Sequence, residues 1–214
     1  MDGVNKRRMN EKFLKTAVLA SGRGSNLQAL IDAWQSGELP IELVAVGSDQ
    51  SEAQALSRAE AAGIASKAFP LRNYPDRFAQ EEDLLAWLHG HKVELLLLAG
   101  YMRVLKTDFI REAGFPILNI HPSLLPAFPG VHAQRQAVEY GVRYSGCTVH
   151  FVDEGLDSGP IILQEVVPVL PEDTEDTLAA RILEVEHRLY PEAVRLLARG
   201  RLKRQGRQVR ISKA

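Results

Sequence analysis

Asn119 and His121 flank Ile120 at the end of a short apolar run, Ile117–Ile120. Alternation along a strand puts both side chains on the same side of the chain. An amide donor beside an imidazole can stabilise an oxyanion while the imidazole carries a proton. The same two groups could instead close a strand end by bonding backbone. A second set, Ser21–Leu27 (SGRGSNL), lies between an apolar run and a helical pattern. Its glycines allow a sharp turn, and the free N–H groups and positive dipole end of the following helix suit an anion such as phosphate. Leu27 stands where a dinucleotide fingerprint needs its third glycine, and no Gly-Lys-Ser/Thr follows, so neither nucleotide-loop pattern is met. A tight turn with Ser25 or Asn26 as helix cap is the other reading. A third set is the turn Leu156–Pro160 (LDSGP). Asp157 could accept from His121 and favour its charged form, or it could cap its own turn. No spacing rule joins positions 121 and 157.

The remaining candidates carry less. Asp49 follows a strand and is of the type that can hold a ribose, although the missing third glycine argues against that use. His89 and His91 sit at a helix end, His132 starts a helix, and His187 lies beside Glu184 and Glu186. His150 alternates within a strand, as either a core residue or a pocket lining. Cys147 reads as a small strand residue. There is no HExxH and no cysteine pair, so no metal site is expected.

The elements that must position these residues alternate. Apolar runs at Thr16–Ala20, Ile41–Val46, Ile64–Phe69, Val93–Ala99 and Ile117–Ile120 predict strands. Helical spacing covers Ser25–Trp34, Glu52–Ala62, Pro75–His89 and Lys106–Ala113. That alternation predicts an α/β, Rossmann-like, mostly parallel twisted sheet with helices on both faces. His121–Gly130 holds three prolines and cannot be regular structure. A helix is predicted over Val131–Tyr140. Beyond it, Thr148–Asp153 and Ile161–Val169 are joined too closely for a parallel crossover, so the C-terminal part of the sheet is expected to be antiparallel. Thr174–Ala198 is the longest helical pattern, with Asp173 or Thr174 as its cap.

The chain has 214 residues, 45% apolar and 25% charged, which excludes a disordered chain and suits one domain over 13–205. Residues 1–12 are expected to form a flexible tail, and 206–214 a basic one. Lys and Arg total 26 against 27 Asp and Glu, so nothing electrostatic calls for nucleic acid or a membrane. One cysteine allows no internal disulfide, which suits a cytoplasmic protein.

SGRGSNLQALIDA, LLLLAGYMRVL, ILNIHPSLLPAFPGVHAQRQA, TVHFVDEGLDSGPIILQEVVPV and EHRLYPEAV, in this order, resemble the folate-dependent phosphoribosylglycinamide formyltransferase family over about residues 14 to 205. The resemblance implies formyl transfer from 10-formyltetrahydrofolate to the amine of glycinamide ribonucleotide in purine synthesis, with no metal and no nicotinamide. It implies that Asn119, His121 and Asp157 match the catalytic asparagine, histidine and aspartate. Gly24, Ser25 and Asn26 match the loop for the substrate phosphate, and Glu186 a glutamate that contacts the ribonucleotide. Met102, Arg103, Val104 and Leu105 match the folate-pocket segment, as do Asp153, Glu154, Gly155, Leu156 and Asp157. Asn119 belongs to that pocket too, and Arg77 falls at the folate-contacting arginine. The implied partners are these small molecules alone, with the chain a monomer or homodimer. Two related activities are weighed against it. Formyltetrahydrofolate hydrolase normally carries an extra N-terminal domain and methionyl-tRNA formyltransferase a C-terminal barrel, so neither activity is expected here. Against a nucleotide-binding module without catalysis stands the missing third glycine, and a non-enzymatic scaffold would leave Asn119, His121 and Asp157 unexplained.

Overall fold

The computed structural model describes residues 13–212, so the expected tail at 1–12 lies outside the described residues. Nine strands and six helices follow one another: β1 (Leu14–Leu19), α1 (Ser25–Gln35), β2 (Ile41–Ser48), α2 (Gln54–Ala61), β3 (Ala65–Ala68), α3 (Arg77–Gly90), β4 (Leu95–Leu98), α4 (Thr107–Glu112), β5 (Ile117–His121), α5 (Ala133–Tyr140), β6 (Tyr144–Phe151), β7 (Ile161–Pro168), α6 (Glu175–Ala198), β8 (Leu202–Gln205) and β9 (Gln208–Ile211).

The first seven strands form one sheet in the order β3-β2-β1-β4-β5-β6-β7. Strands β1 to β5 pair in parallel, whereas β5–β6 and β6–β7 are antiparallel. The Rossmann-like, mostly parallel arrangement expected from the alternating pattern is therefore present, as is its antiparallel C-terminal part.

Strand β4 shows why the sheet is covered twice. Its four leucines alternate between faces, and all are buried. Leu95 and Leu97 join Leu27, Leu30, Leu178 and Ile182 of α1 and α6 in one core. Leu96 and Leu98 join Leu84, Leu88 and Phe109 of α3 and α4 in the other. Each such leucine contributes about 1.5–3 kcal/mol by burial, so a polar residue on either side of β4 would be costly.

Helix α6 is capped as its sequence suggests. The Thr174 side chain accepts from the Thr177 backbone, and the Thr177 side chain accepts in return from the Thr174 N–H. Asp173 pairs with Arg181 instead. Buried Tyr190 ties α6 to the sheet by sharing its hydroxyl proton between the carbonyls of Leu98 and Leu118, at 3.0 and 3.1 Å.

Strand order reverses between β1 and β4, and ligands of open α/β sheets bind at such a point, outside the carboxyl ends of the strands. The loops leaving β1 and β4 meet there, with the Ser21 N–H on the Gly100 carbonyl at 3.1 Å. Most boundaries fall within one or two residues of expectation, and two differ by more. Strand β6 begins four residues early, at Tyr144, because Gly146 lies so close to β7 that a Cβ would meet the Glu165 carbonyl oxygen at 2.0 Å. Part of the expected basic tail at 206–214 forms β9, half of an antiparallel hairpin with β8.

Candidate active site

Asn119 and His121 stand where β5 ends, facing His150 and Thr148 of β6 across the antiparallel ladder. His121 is almost wholly buried, at 4% exposure. Its Nε2 lies 2.9 Å from the Phe128 carbonyl and its Nδ1 3.3 Å from Asp157 Oδ2. Both ring nitrogens therefore face oxygen acceptors, and only an imidazolium can donate to both. The two residues that supply these oxygens are non-glycines with left-handed backbone, Phe128 at φ 52° and Asp157 at φ 47°. Backbone held in this region is costly and gathers at functional sites.

Asp157 does not cap its own turn. That work falls to Asp153, whose Oδ1 accepts from the Gly155 N–H at 3.2 Å and the Ser158 hydroxyl at 2.6 Å. Asp157 is left to reach inward. Its Oδ2 accepts from the Gly130 N–H at 2.7 Å, and its Oδ1 lies 3.4 Å from Asn119 Nδ2. One carboxylate thus holds the imidazole, the amide and the Pro-rich loop together. That loop is pinned from beneath, where Thr148 donates to the Ser123 carbonyl at 2.7 Å and Gln164 to that of Leu125 at 2.8 Å.

His150 is the functional residue that the sequence left undecided. Its Nδ1 donates to the Phe151 carbonyl at 2.8 Å, which leaves the Nε2 lone pair facing Asn119 Nδ2 at 3.3 Å. Burial pushes its pKa below the ordinary histidine value, against the Phe151 carbonyl and the Asp157 charge, which pull upward. A neutral ring with this tautomer orients the Asn119 amide. The signal was the alternation along β6, which becomes decisive only once its pairing with β5 is known.

The glycine loop forms a second part of the site. Gly24 caps α1 at φ 70°, where a Cβ would also sit 2.9 Å from Ala55 Cα. Neither Ser25 nor Asn26 caps the helix, since α1 has no side-chain cap bond. Its first N–H groups thus remain available to an anion. Asn26 instead donates to Glu186 on α6 at 2.7 Å, and its own Oδ1 is buried without a partner. Burial raises the Glu186 pKa to about 7, although the Asn26 bond acts to lower it. A neutral carboxyl here spares an incoming anion a like charge.

Between these two parts runs the 102–105 segment. The Ser21 hydroxyl accepts from the Met102 N–H at 2.8 Å and donates to Asp49, which also pairs with Arg103 at 3.1 Å. Asp49 is thereby buried and occupied, which removes the ribose role. Leu105 is buried, whereas Met102, Val104 and Leu156 are exposed apolar side chains on loops around the β4 and β5 ends. Arg77 pairs with Glu81, whose carboxylate also accepts from the Lys106 N–H at 3.3 Å, so it connects to this segment indirectly. Glu154 turns outward onto Arg111 at 2.8 Å. Gly155 is packed so closely that a Cβ would meet Ser158 Oγ at 2.1 Å. Among the described residues no group of three or more acidic, histidine or cysteine side chains could hold a metal, and no helix is long and apolar enough to cross a membrane.

A mostly parallel sheet with a helix N-terminus open to an anion, beside a buried His flanked by a half-buried Asn and Asp, defines a class of acyl-transfer proteins. The formyl transferase pattern matches residues 14–194, and the chain belongs to this family. It is 42% identical to phosphoribosylglycinamide formyltransferase of Bacillus subtilis, over 86% of this chain and 94% of that protein. It is 47% identical to the trifunctional purine biosynthetic protein adenosine-3 of Drosophila pseudoobscura over 92% of this chain, but spans only 15% of that protein's length. The crystal structure of glycinamide ribonucleotide transformylase 1 from Symbiobacterium toebii superposes with a TM-score of 0.91 at 50% identity, covering 94% of this chain and 95% of that one.

Proposed function

We propose that the chain transfers the formyl group of 10-formyltetrahydrofolate to the amine of glycinamide ribonucleotide in purine synthesis. The observation that carries this reading is His121 held between two oxygen acceptors, 2.9 and 3.3 Å from its ring nitrogens, beside the Asn119 amide. Gly24, Ser25 and Asn26 receive the ribonucleotide phosphate at the α1 N-terminus, and Glu186 contacts the same substrate. Met102–Leu105, Arg77 and the 153–157 turn receive the folate, whose flat ring faces the exposed Met102, Val104 and Leu156 would cover.

The amine attacks the formyl carbon. Asn119 and the charged His121 stabilise the oxyanion, and Asp157 supports the imidazolium. The bond from the formyl carbon to the folate nitrogen then breaks, and the proton lost by the amine reaches that nitrogen through His121 and water. No covalent enzyme intermediate is needed. Removing one oxyanion donor from such a site costs about 10²–10³ in rate.

The test is a formyl-transfer assay with the two purified substrates. Formylated ribonucleotide is the expected product. Formate release at the same rate without the ribonucleotide would instead make water the acceptor and remove the proposal.

A further inference from the structure

The stretch from Arg199 to Ala214 holds seven basic residues and no acidic one, and nothing in the proposed chemistry uses it. Strands β8 and β9 place Lys203 directly opposite Arg210, a like-charge pair that disfavours the hairpin. A two-stranded hairpin is marginal by itself, so contacts beyond it must hold it. At its base, Leu202 and Val209 pack against the main core, and the Arg201 guanidinium donates twice to the Ser212 carbonyl, at 2.9 and 2.7 Å. At its tip, next to the turn glycine Gly206, Arg207 Nη2 donates to the Ser158 carbonyl at 2.7 Å.

Ser158 directly follows Asp157. The bonds from Asp153 to Gly155 and Ser158 tie this turn only to itself. Gly159 fits so closely under the Phe151 carbonyl that a Cβ would lie 1.7 Å from its oxygen. The turn is thus fixed at one end by β6 and inward by the Asp157 carboxylate. Arg207 holds its main chain from the solvent side, from an element outside the seven-stranded sheet.

We propose that the β8–β9 hairpin is a clamp on the Asp157 turn, with Arg207 as a positioning residue for the Asp157–His121 contact. This rests on the formyl-transfer reading. Asp157 has to keep a left-handed backbone while its carboxylate meets three groups, and a small loss of orientation at such a contact is costly in rate. Arg207 lowers the number of arrangements open to the turn without touching a substrate. The clamp acts on turnover and on the folate side of the site, and leaves the affinity for the ribonucleotide alone.

The experiment compares Arg207→Ala, Arg207→Lys and Lys203→Ala in the full chain. It measures kcat, both KM values and hydrogen exchange at the amides of Asp157, Ser158 and Gly159. Arg207→Ala is expected to lower kcat about 3–10-fold, the scale of one lost hydrogen bond, with the KM for the ribonucleotide kept and those amides exchanging faster. Arg207→Lys keeps one donor and restores most of the turnover. Lys203→Ala, an exposed charge on the same hairpin, leaves turnover as it was. Equal losses from Lys203→Ala and Arg207→Ala would make the effect one of overall charge and overturn the clamp, as would normal turnover in Arg207→Ala. If the unaltered chain transfers no formyl group, the functional reading fails. Exchange at the three amides then decides alone, and unchanged exchange in Arg207→Ala overturns the clamp.

Discussion

The two parts of the site are built from different materials. The α1 end is a backbone device: Gly24 at φ 70° and a helix end with no side-chain cap. The β5 end is a side-chain device, in which buried His121 and His150 and half-buried Asn119 and Asp157 are linked by contacts. A backbone device relies on local chain geometry and tolerates many side chains around it. A side-chain device depends on groups distant in sequence, because Asn119 and Asp157 meet across 38 positions. The first should respond to substitution mainly in binding, the second in turnover.

The largest expected effect falls on the side-chain device. Asp157→Asn keeps the shape and removes the charge facing His121, so kcat should fall about 10²–10³-fold with both KM values little changed, as for an interaction made in the transition state. His121→Ala combined with Asp157→Asn should cost scarcely more than the worse single change, since coupled residues are not additive. Steady-state kinetics of the three variants decides it. Fully additive losses would break the contrast, because the two residues would then act separately.

Next comes Glu186, the ionisable group at the backbone device. Its folded pKa is raised by burial to about 7, above the unfolded value near 4.5. The folded state therefore binds its proton more tightly, and stability is lost as pH rises from about 4.5 to 7. Glu186→Gln removes that dependence. Relative to the unaltered chain it should gain roughly 2–4 kcal/mol at pH 8 over its standing at pH 4. Urea unfolding at both pH values measures this, and an equal difference at the two would show that the Glu186 pKa does not change on folding.

Gly24→Val tests the backbone device directly. The left-handed φ and the contact with Ala55 both oppose a branched side chain. The strain is worth about 2 kcal/mol. It should appear as a KM for the ribonucleotide raised roughly 30-fold, with the folate KM kept. Equal losses for both substrates would place the phosphate elsewhere.

The same contrast explains what the sequence made legible. The glycine loop was readable because strand, turn and helix adjoin in the chain, although Asn26 bonds Glu186 rather than capping the helix. The leucines of β4 announced a strand covered on both faces. His150 could not be placed, because only the register of β6 against β5 brings it to Asn119. The β8–β9 hairpin was missed for another reason. Its apolar residues, Leu202, Val209 and Ile211, are too few among charged ones to show a period, and what holds it lies in the core and at Ser158. The link from His121 to Asp157 came from resemblance, since no local rule spans a Pro-rich loop and a hairpin.

The smallest expected effect asks whether the side-chain device sits on ground as firm as the other. Cys147 is its reporter, in β6, the strand that carries His150 beside β5. It is fully buried in the core shared with α1 and α6. Burial pushes its thiol up to about 12, so the reactive thiolate is scarce at any ordinary pH. A thiol reagent should therefore label it only as fast as the whole molecule unfolds, and labelling should not be speeded by Gly24→Val beyond the loss of global stability. Measured across urea concentrations, the labelling free energy should coincide with that from circular dichroism. Labelling well below the global value would mean that β6 opens separately. The Asn119–His150 alignment would then be made and lost within the folded state, and the precision ascribed to the side-chain device would have to come from the substrates themselves.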